Sequence, residues 1–113
     1  MNIAIILLNW NDWRNTIDCL ESIYQNDSEF DVFLVDNGSE FRHNLNIFKW
    51  YRGHIISNRV FIKSRAKKKG KLIQINPKNN IFNEKKNQKN LYFIRNKQNF
   101  GLTKGLNIGY EFA

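Results

Sequence analysis

The sequence predicts an α/β fold, a mostly parallel sheet with helices flanking it, and three observations carry that reading. Ile3 to Leu8, Val32 to Val35 and Leu91 to Ile94 are short apolar runs, as expected for strands buried on both faces of a parallel sheet. Between the first two, apolar residues recur at helical spacing. Two of the runs lead at once into small, polar, turn-forming residues, Asp36-Asn37-Gly38-Ser39 and Asn96 through Gly101. Open α/β sheets hold their ligands there, outside the carboxyl ends of parallel strands.

The first run is rich in β-branched residues and ends at Asn9-Trp10-Asn11. Trp13, Ile17, Leu20 and Tyr24, with Ile23 beside them, then form an apolar stripe of about three helical turns. Asn11 or Asp12 is placed to cap the start of that helix. Cys19, the single cysteine, cannot form an internal disulfide, and its place between Ile17 and Leu20 predicts a packed core thiol. Strand, helix and strand in this order predict a right-handed βαβ unit.

From Glu40 to about Asn90 the apolar residues are scattered among Asn and Lys with no sustained period. Leu45 to Tyr51 reads as a short helix. Val60-Phe61-Ile62 and Leu72-Ile73-Gln74-Ile75 are expected to pair as a hairpin around the basic stretch Lys63 to Lys71, a long loop for that purpose. Asn76 to Asn90, which holds the only proline, reads as an exposed loop. Order returns at Leu91-Tyr92-Phe93-Ile94, followed by a polar loop from Arg95 to Gly101 and a helix starting at Leu102, with Thr103 as its candidate cap. Left exposed and unpaired, that third strand would invite pairing with another chain. Gly105 and Gly109 weaken the last helix by about 1 kcal/mol each relative to alanine, so they predict a close approach by another backbone or a ligand.

With 113 residues the chain is long enough for one domain, although a sheet covered on both faces usually needs more. The expectation is a single partial domain over 1–113, interrupted by a basic, loop-rich insertion at about 40–90. Apolar and charged fractions of 42% and 25% exclude a disordered chain. The net charge of +8 attracts phosphates, nucleic acid or an anionic membrane surface without choosing among them. Ile3 to Leu8 is too short to span a bilayer and has no basic residue ahead of it, so no transmembrane helix or signal peptide is expected, and the cytoplasm is the default location.

Asp36 directly follows the second strand. Its carboxylate either accepts hydrogen bonds from a base imide or ribose hydroxyl, or bonds the amides of its own turn. Gly38 permits a positive φ and Ser39 can cap the next segment, roles that fit a ligand loop and a plain turn equally. Asn9, Trp10 and Asn11 end the first strand on the same edge, where the indole either stacks on a nucleobase or packs against the protein. Arg95 and Lys97 are placed to meet a diphosphate together with the amino end of the last helix, or are simply solvated. The stretch Lys63-Ser64-Arg65-Ala66-Lys67-Lys68-Lys69-Gly70-Lys71 is the densest charge, but no nucleic-acid motif or zinc-ligand spacing accompanies it, so no specific nucleic-acid binding is expected. His43 and His54 have no companions at useful spacing. The i, i+2 acidic pairs Asp27-Ser28-Glu29 and Glu29-Phe30-Asp31 fall before the second strand, at the amino end of the sheet, and Glu111 stands alone. No catalytic residue and no metal ligand is therefore assigned.

Four ordered pieces of the chain resemble the N-terminal, nucleotide-sugar-binding part of a family 2 glycosyltransferase of the GT-A fold. They are Ile5 to Asn11, Cys19-Leu20-Glu21-Ser22-Ile23, Leu34 to Ser39, and Asn96 through Asn99-Phe100-Gly101-Leu102 to Gly105-Leu106-Asn107-Ile108-Gly109. The resemblance implies a Rossmann-like half of that fold and transfer of a sugar from a nucleoside-diphosphate sugar to a polysaccharide, lipid or protein-glycan acceptor. The implied nucleotide-binding set is Asn9, Trp10, Asn11, Asp36, Asn37, Gly38, Ser39, Asn99, Gly101, Lys104 and Asn107, with Asp36 at the base. It also implies Mg²⁺ or Mn²⁺ on an Asp-x-Asp motif, followed by a general base, and neither has a counterpart in this chain. The expectation is thus a truncated member, cytoplasmic or peripheral at the inner membrane surface, that binds nucleotide and does not transfer sugar by itself. The alternative is a non-catalytic basic remnant that binds polyanions through Lys63 to Lys71.

Overall fold

Strand β1 (Ala4–Asn9), helix α1 (Trp13–Tyr24), strand β2 (Asp31–Asp36), helix α2 (Phe41–Tyr51), strands β3 (Leu72–Ile75) and β4 (Leu91–Arg95), and helix α3 (Leu102–Phe112) succeed one another along the chain. They belong to a computed structural model that describes residues 3–26, 28–54, 70–76 and 88–113. The four strands form one sheet in the order β1-β2-β4-β3, and every pairing is parallel. The chain is therefore an α/β protein with a small parallel sheet.

Position in the sheet explains each strand's composition. β2 is buried at all six residues because it has a strand on either side and helices over both faces. β1 lies at an edge, so Ile5 to Leu8 are only partly covered. Side chains alternate between the two faces. Val32, Leu34, Leu91 and Phe93 join Ile17, Leu20 and Tyr24 of α1 and Ile47 and Trp50 of α2 in one core. Phe33, Val35, Tyr92 and Ile94 form a second core on the opposite face, where Ile108 and Phe112 of α3 pack. Phe33 and Tyr92 stack there with ring centroids 4.6 Å apart.

Two unusual contacts fix the helices. Glu21, in the buried stripe of α1, accepts a hydrogen bond from the Trp50 indole N–H of α2 at 2.8 Å, which braces the two helices across their interface. On α3, Gly105 and Gly109 face the sheet. A Cβ on Gly105 would come within 2.6 Å of Leu8 Cδ1, and one on Gly109 within 2.7 Å of Ile6 Cγ2 and 2.8 Å of Val35 Cγ2. The close approach expected from these glycines is thus made by strand side chains.

Several expectations are corrected. Cys19 is exposed: it is flanked in sequence by inward residues, but at 100° per residue it points away from the stripe of Ile17, Leu20 and Tyr24. Its thiol keeps enough cover for desolvation to raise its pKa. The middle helix begins at Phe41, because His43 and Asn44 extend its buried face beyond Ile47 and Trp50. Leu72–Ile75 runs parallel to β4 as an edge strand, while Val60 to Ile62, its expected hairpin partner, lies outside the described residues. Leu91–Arg95 is an interior strand paired on both sides. Asn90, expected in an exposed loop, is buried, and it takes the Asp31 carboxylate through its N–H at 3.1 Å. α3 is preceded by Gly101 at the cap position, with no Thr103 cap.

Candidate functional site

The carboxyl ends of β1, β2 and β4 lie side by side, with Asn9 paired to Asp36 and Asp36 to Arg95. The ladder continues one step further, as Asn37 N–H donates to Asn9 O and Asn96 N–H to Asp36 O, both at 2.8 Å. Three loops therefore leave the sheet from one level.

Asp36 is fully buried. Its Oδ1 accepts from Asn9 Nδ2 at 2.9 Å and its Oδ2 from the Ser39 N–H at 3.0 Å. The Asn9 amide also donates to Ser39 Oγ at 3.2 Å and accepts from the Thr16 hydroxyl at 2.6 Å. Asn11 holds a left-handed conformation, φ 48°, which asparagine tolerates. Its N–H donates to Ser39 Oγ at 2.8 Å, and its Oδ1 accepts from Glu40 N–H at 2.9 Å. The loops after β1 and β2 are locked together by these bonds.

A second cluster ties the β2 turn to the loop before α3. Asn37 Nδ2 donates to Asn99 Oδ1 at 3.0 Å and to Gly101 O at 3.1 Å. Asn37 Oδ1 accepts from Asn96 Nδ2 at 3.2 Å and Phe100 N–H at 3.1 Å. Gly38 lies where only glycine fits: its φ is +84°, and a Cβ would stand 2.7 Å from the Gln98 backbone. Gly101 is also left-handed, at +82°, but a Cβ there would meet nothing within 4 Å.

The structure thus brings Asn9, Asn11, Asp36, Asn37, Gly38, Ser39, Asn99 and Gly101 into one hydrogen-bonded edge. Trp10 stands at that edge with 52% of its surface exposed. Lys104 and Asn107 lie on the solvent side of α3, the Lys104 ammonium 4.4 Å from the centroid of the Phe100 ring. Arg95 leans toward α2, its guanidinium 5.8 Å from the centroid of Phe41, whereas α3 packs on the other face of the sheet. Thr16, not singled out by the sequence, and Asn96, placed at this edge by its segment but outside the expected nucleotide set, are members of the edge through Asn9 and Asn37. Each carries a signal in retrospect: Thr16 is a polar residue in an apolar helical stripe, and Asn96 is the first residue past a buried strand. His43 is buried as well, its Nδ1 accepting from the Trp13 N–H at 3.4 Å.

An open cleft of about 580 Å³ lies beside this edge, bounded by the Gly38-Ser39 turn, the end of β3 and Arg95 to Lys97. At the opposite end of the sheet the carboxylate of Asp31, the first residue of β2, accepts the Gln88 and Asn90 N–H groups, each at 3.1 Å, away from the cleft. Among the described residues no group of three or more His, Cys, Asp or Glu is placed to hold a divalent ion. Among the described residues no helix is long and apolar enough to cross a membrane.

No family model, curated protein or solved structure matches the chain. Fold and site together define a class, a small parallel α/β protein with an amide-rich carboxyl edge and a basic cleft beside it.

Proposed function

We propose that this chain is the donor-binding part of a sugar transferase, holding a nucleoside-diphosphate sugar at the carboxyl edge of β1, β2 and β4 in the manner of the family 2 glycosyltransferases it resembles. The observation that supports the reading is the convergence of three polar loops, separated by up to 64 residues in sequence, on one edge of a parallel sheet. Trp10 offers an exposed ring for a base to stack on. Asp36 is fully buried, so for its carboxylate to meet a base imide the Ser39 turn must move aside. The reading covers donor binding alone, since the acids described at this edge are already engaged: Asp12 with Asn15, Asp36 as above and Glu40 with Arg42.

Thermal melts with UDP or dTDP plus Mg²⁺ test it. At a nucleotide concentration 100 times Kd the chain gains about 2.7 kcal/mol, a readily measured rise in Tm. Trp10→Ala, at an exposed position, should remove most of that rise while leaving the unliganded melt near its original midpoint. Asp36→Ala should remove the rise and also lower the unliganded midpoint. An unmutated chain indifferent to both nucleotides defeats the proposal. The net charge of +8 supports a second reading, a basic polyanion-binding module. That reading prevails if neutralising Lys67, Lys68 and Lys69 weakens nucleotide and polyanion equally and Asp36→Ala affects neither.

A further inference from the structure

The row Asn9, Asp36, Arg95 ends in a cation that its neighbours leave uncompensated. Arg95 is paired in register with Asp36, yet that carboxylate is buried and turned to Asn9 and Ser39. Among the described residues Arg95 has no ion pair and no side-chain hydrogen bond; its one side-chain partner is the exposed Phe41 ring. Arg95 lines the 580 Å³ cleft. Gln74 and Asn76 line the same cleft from β3 and its end, Lys97 from the loop after β4 and Ser39 from the β2 turn, and Phe93, on the face of the sheet that Gln74 shares, adds an apolar wall. Among the described residues no Asp or Glu lines it.

We propose that this cleft is a binding site for the phosphate or diphosphate group of a small ligand. The planar fork of an arginine matches two oxygens of such a group, and a lysine adds a point charge. The exposed Gln74 amide supplies a neutral donor on the same wall. Removal from bulk water strengthens each of these contacts. A volume of about 580 Å³ exceeds a phosphate alone and suits a small molecule whose remainder rests against Phe93. The concave form favours such a ligand over a nucleic-acid backbone, which basic surfaces bind along an open groove.

This site uses β3 and β4, and apart from the Gly38-Ser39 turn it shares no residue with the nucleotide set. It stands or falls separately from the proposed function. The test is an NMR titration of the full chain with inorganic pyrophosphate, then with uridine, UDP and a single-stranded oligonucleotide. Pyrophosphate should produce saturable amide shifts at Gln74, Asn76 and Asn96-Lys97, with uridine alone leaving these amides unmoved. Arg95→Gln should weaken pyrophosphate binding about tenfold or more. The exposed Arg52→Gln, at the other end of α2, should leave it unchanged. Equal losses from both variants would reduce the effect to general surface charge and overturn the proposal, as would absence of saturation at ~10 mM, an affinity no specific site of this kind should fall below. Tighter binding of the oligonucleotide than of pyrophosphate at the same salt would also overturn it, in favour of a nucleic-acid surface. UDP shifts confined to Trp10 and the Ser39 turn, insensitive to Arg95→Gln, would overturn this site while leaving the nucleotide reading intact. Pyrophosphate binding here with no response to any nucleoside would do the reverse.

Discussion

Replacing Asn37 by alanine should cost about 3 kcal/mol of stability, because one side chain holds the β2 turn to the loop before α3 through four hydrogen bonds of 3.0 to 3.2 Å. The two bonds it donates end on Asn99 and Gly101, which are exposed and can recruit water, so each is worth about 0.5 kcal/mol. The two it accepts come from Asn96, 3% exposed, and the half-buried Phe100 N–H. Leaving those donors unpaired costs about 1 kcal/mol each, since a buried donor without an acceptor forfeits its hydration. Against a total stability of about 5–15 kcal/mol for a domain, that loss is large, and it corresponds to a fall of roughly 12 °C in Tm for a chain of this size. Urea unfolding should show a lower midpoint at unchanged slope. Hydrogen exchange should show the Phe100 amide losing protection well before the amides of β2. A midpoint within about 0.5 kcal/mol of the original, with Phe100 still protected, would refute the assignment of Asn37 as a clasp. Its role would then have to be sought in ligand contact.

Gly109→Ala should destabilise by about 1–2 kcal/mol in urea melts, because overlap with Ile6 and Val35 outweighs the roughly 1 kcal/mol gain in helix propensity. Trp50→Phe removes the indole N–H from the buried Glu21 carboxylate and should cost about 2 kcal/mol; Glu21→Gln in the same background should recover part of it by removing the charge. Asn44 is 1% exposed and neither atom of its amide has a partner, so Asn44→Leu should raise stability by about 1 kcal/mol, and a lower midpoint would show that the amide is satisfied in solution. Burial pushes the Tyr24 phenol far above its ordinary range, and the charges of Tyr51 and Asp31 add to this; Tyr51 is also raised by burial. Both groups are held neutral in the fold, so the stability they contribute is complete below about pH 10 and declines as pH rises above the unfolded phenol pKa. Absorbance at an alkaline pH where exposed tyrosines have ionised should show Tyr24 titrating only with unfolding.

The elements legible in the sequence are those whose own residues decide them. Leu34 and Val35 lie in a continuous apolar run that no exposed segment would carry, and Asp36 to Ser39 carry turn chemistry that requires nothing distant. α1 was equally plain from Ile17, Leu20 and Tyr24. Strand order was less accessible: Leu72 to Ile75 has no local feature that tells an antiparallel hairpin from a parallel edge, because the choice is made by Tyr92 and Phe93, which pair with Ile73 and Gln74. Charged and polar core residues were hidden for another reason. Glu21 and Thr16 are polar residues on the buried side of α1, and only the fold brings up Trp50 and Asn9, whose bonds make that burial tolerable. At the edge, residue types pointed to the right place, whereas the engagement of Asp36 and Asn37 with protein groups depends on loops that only the fold brings together.

The insertion of β4 between β2 and β3 sets an order of assembly. β3 precedes β4 in the chain, yet β4 is the strand it pairs with, so its place in the sheet exists only after residues 91–95 have docked on β2. That docking joins partners such as Asp31 and Asn90, 59 residues apart, and closing so long a loop is slow relative to forming the β1-α1-β2 unit. During synthesis the edge of β2 therefore waits, apolar and unpaired, until the last quarter of the chain has emerged. That interval, more than the finished fold, is when this protein is exposed to mispairing with its own copies.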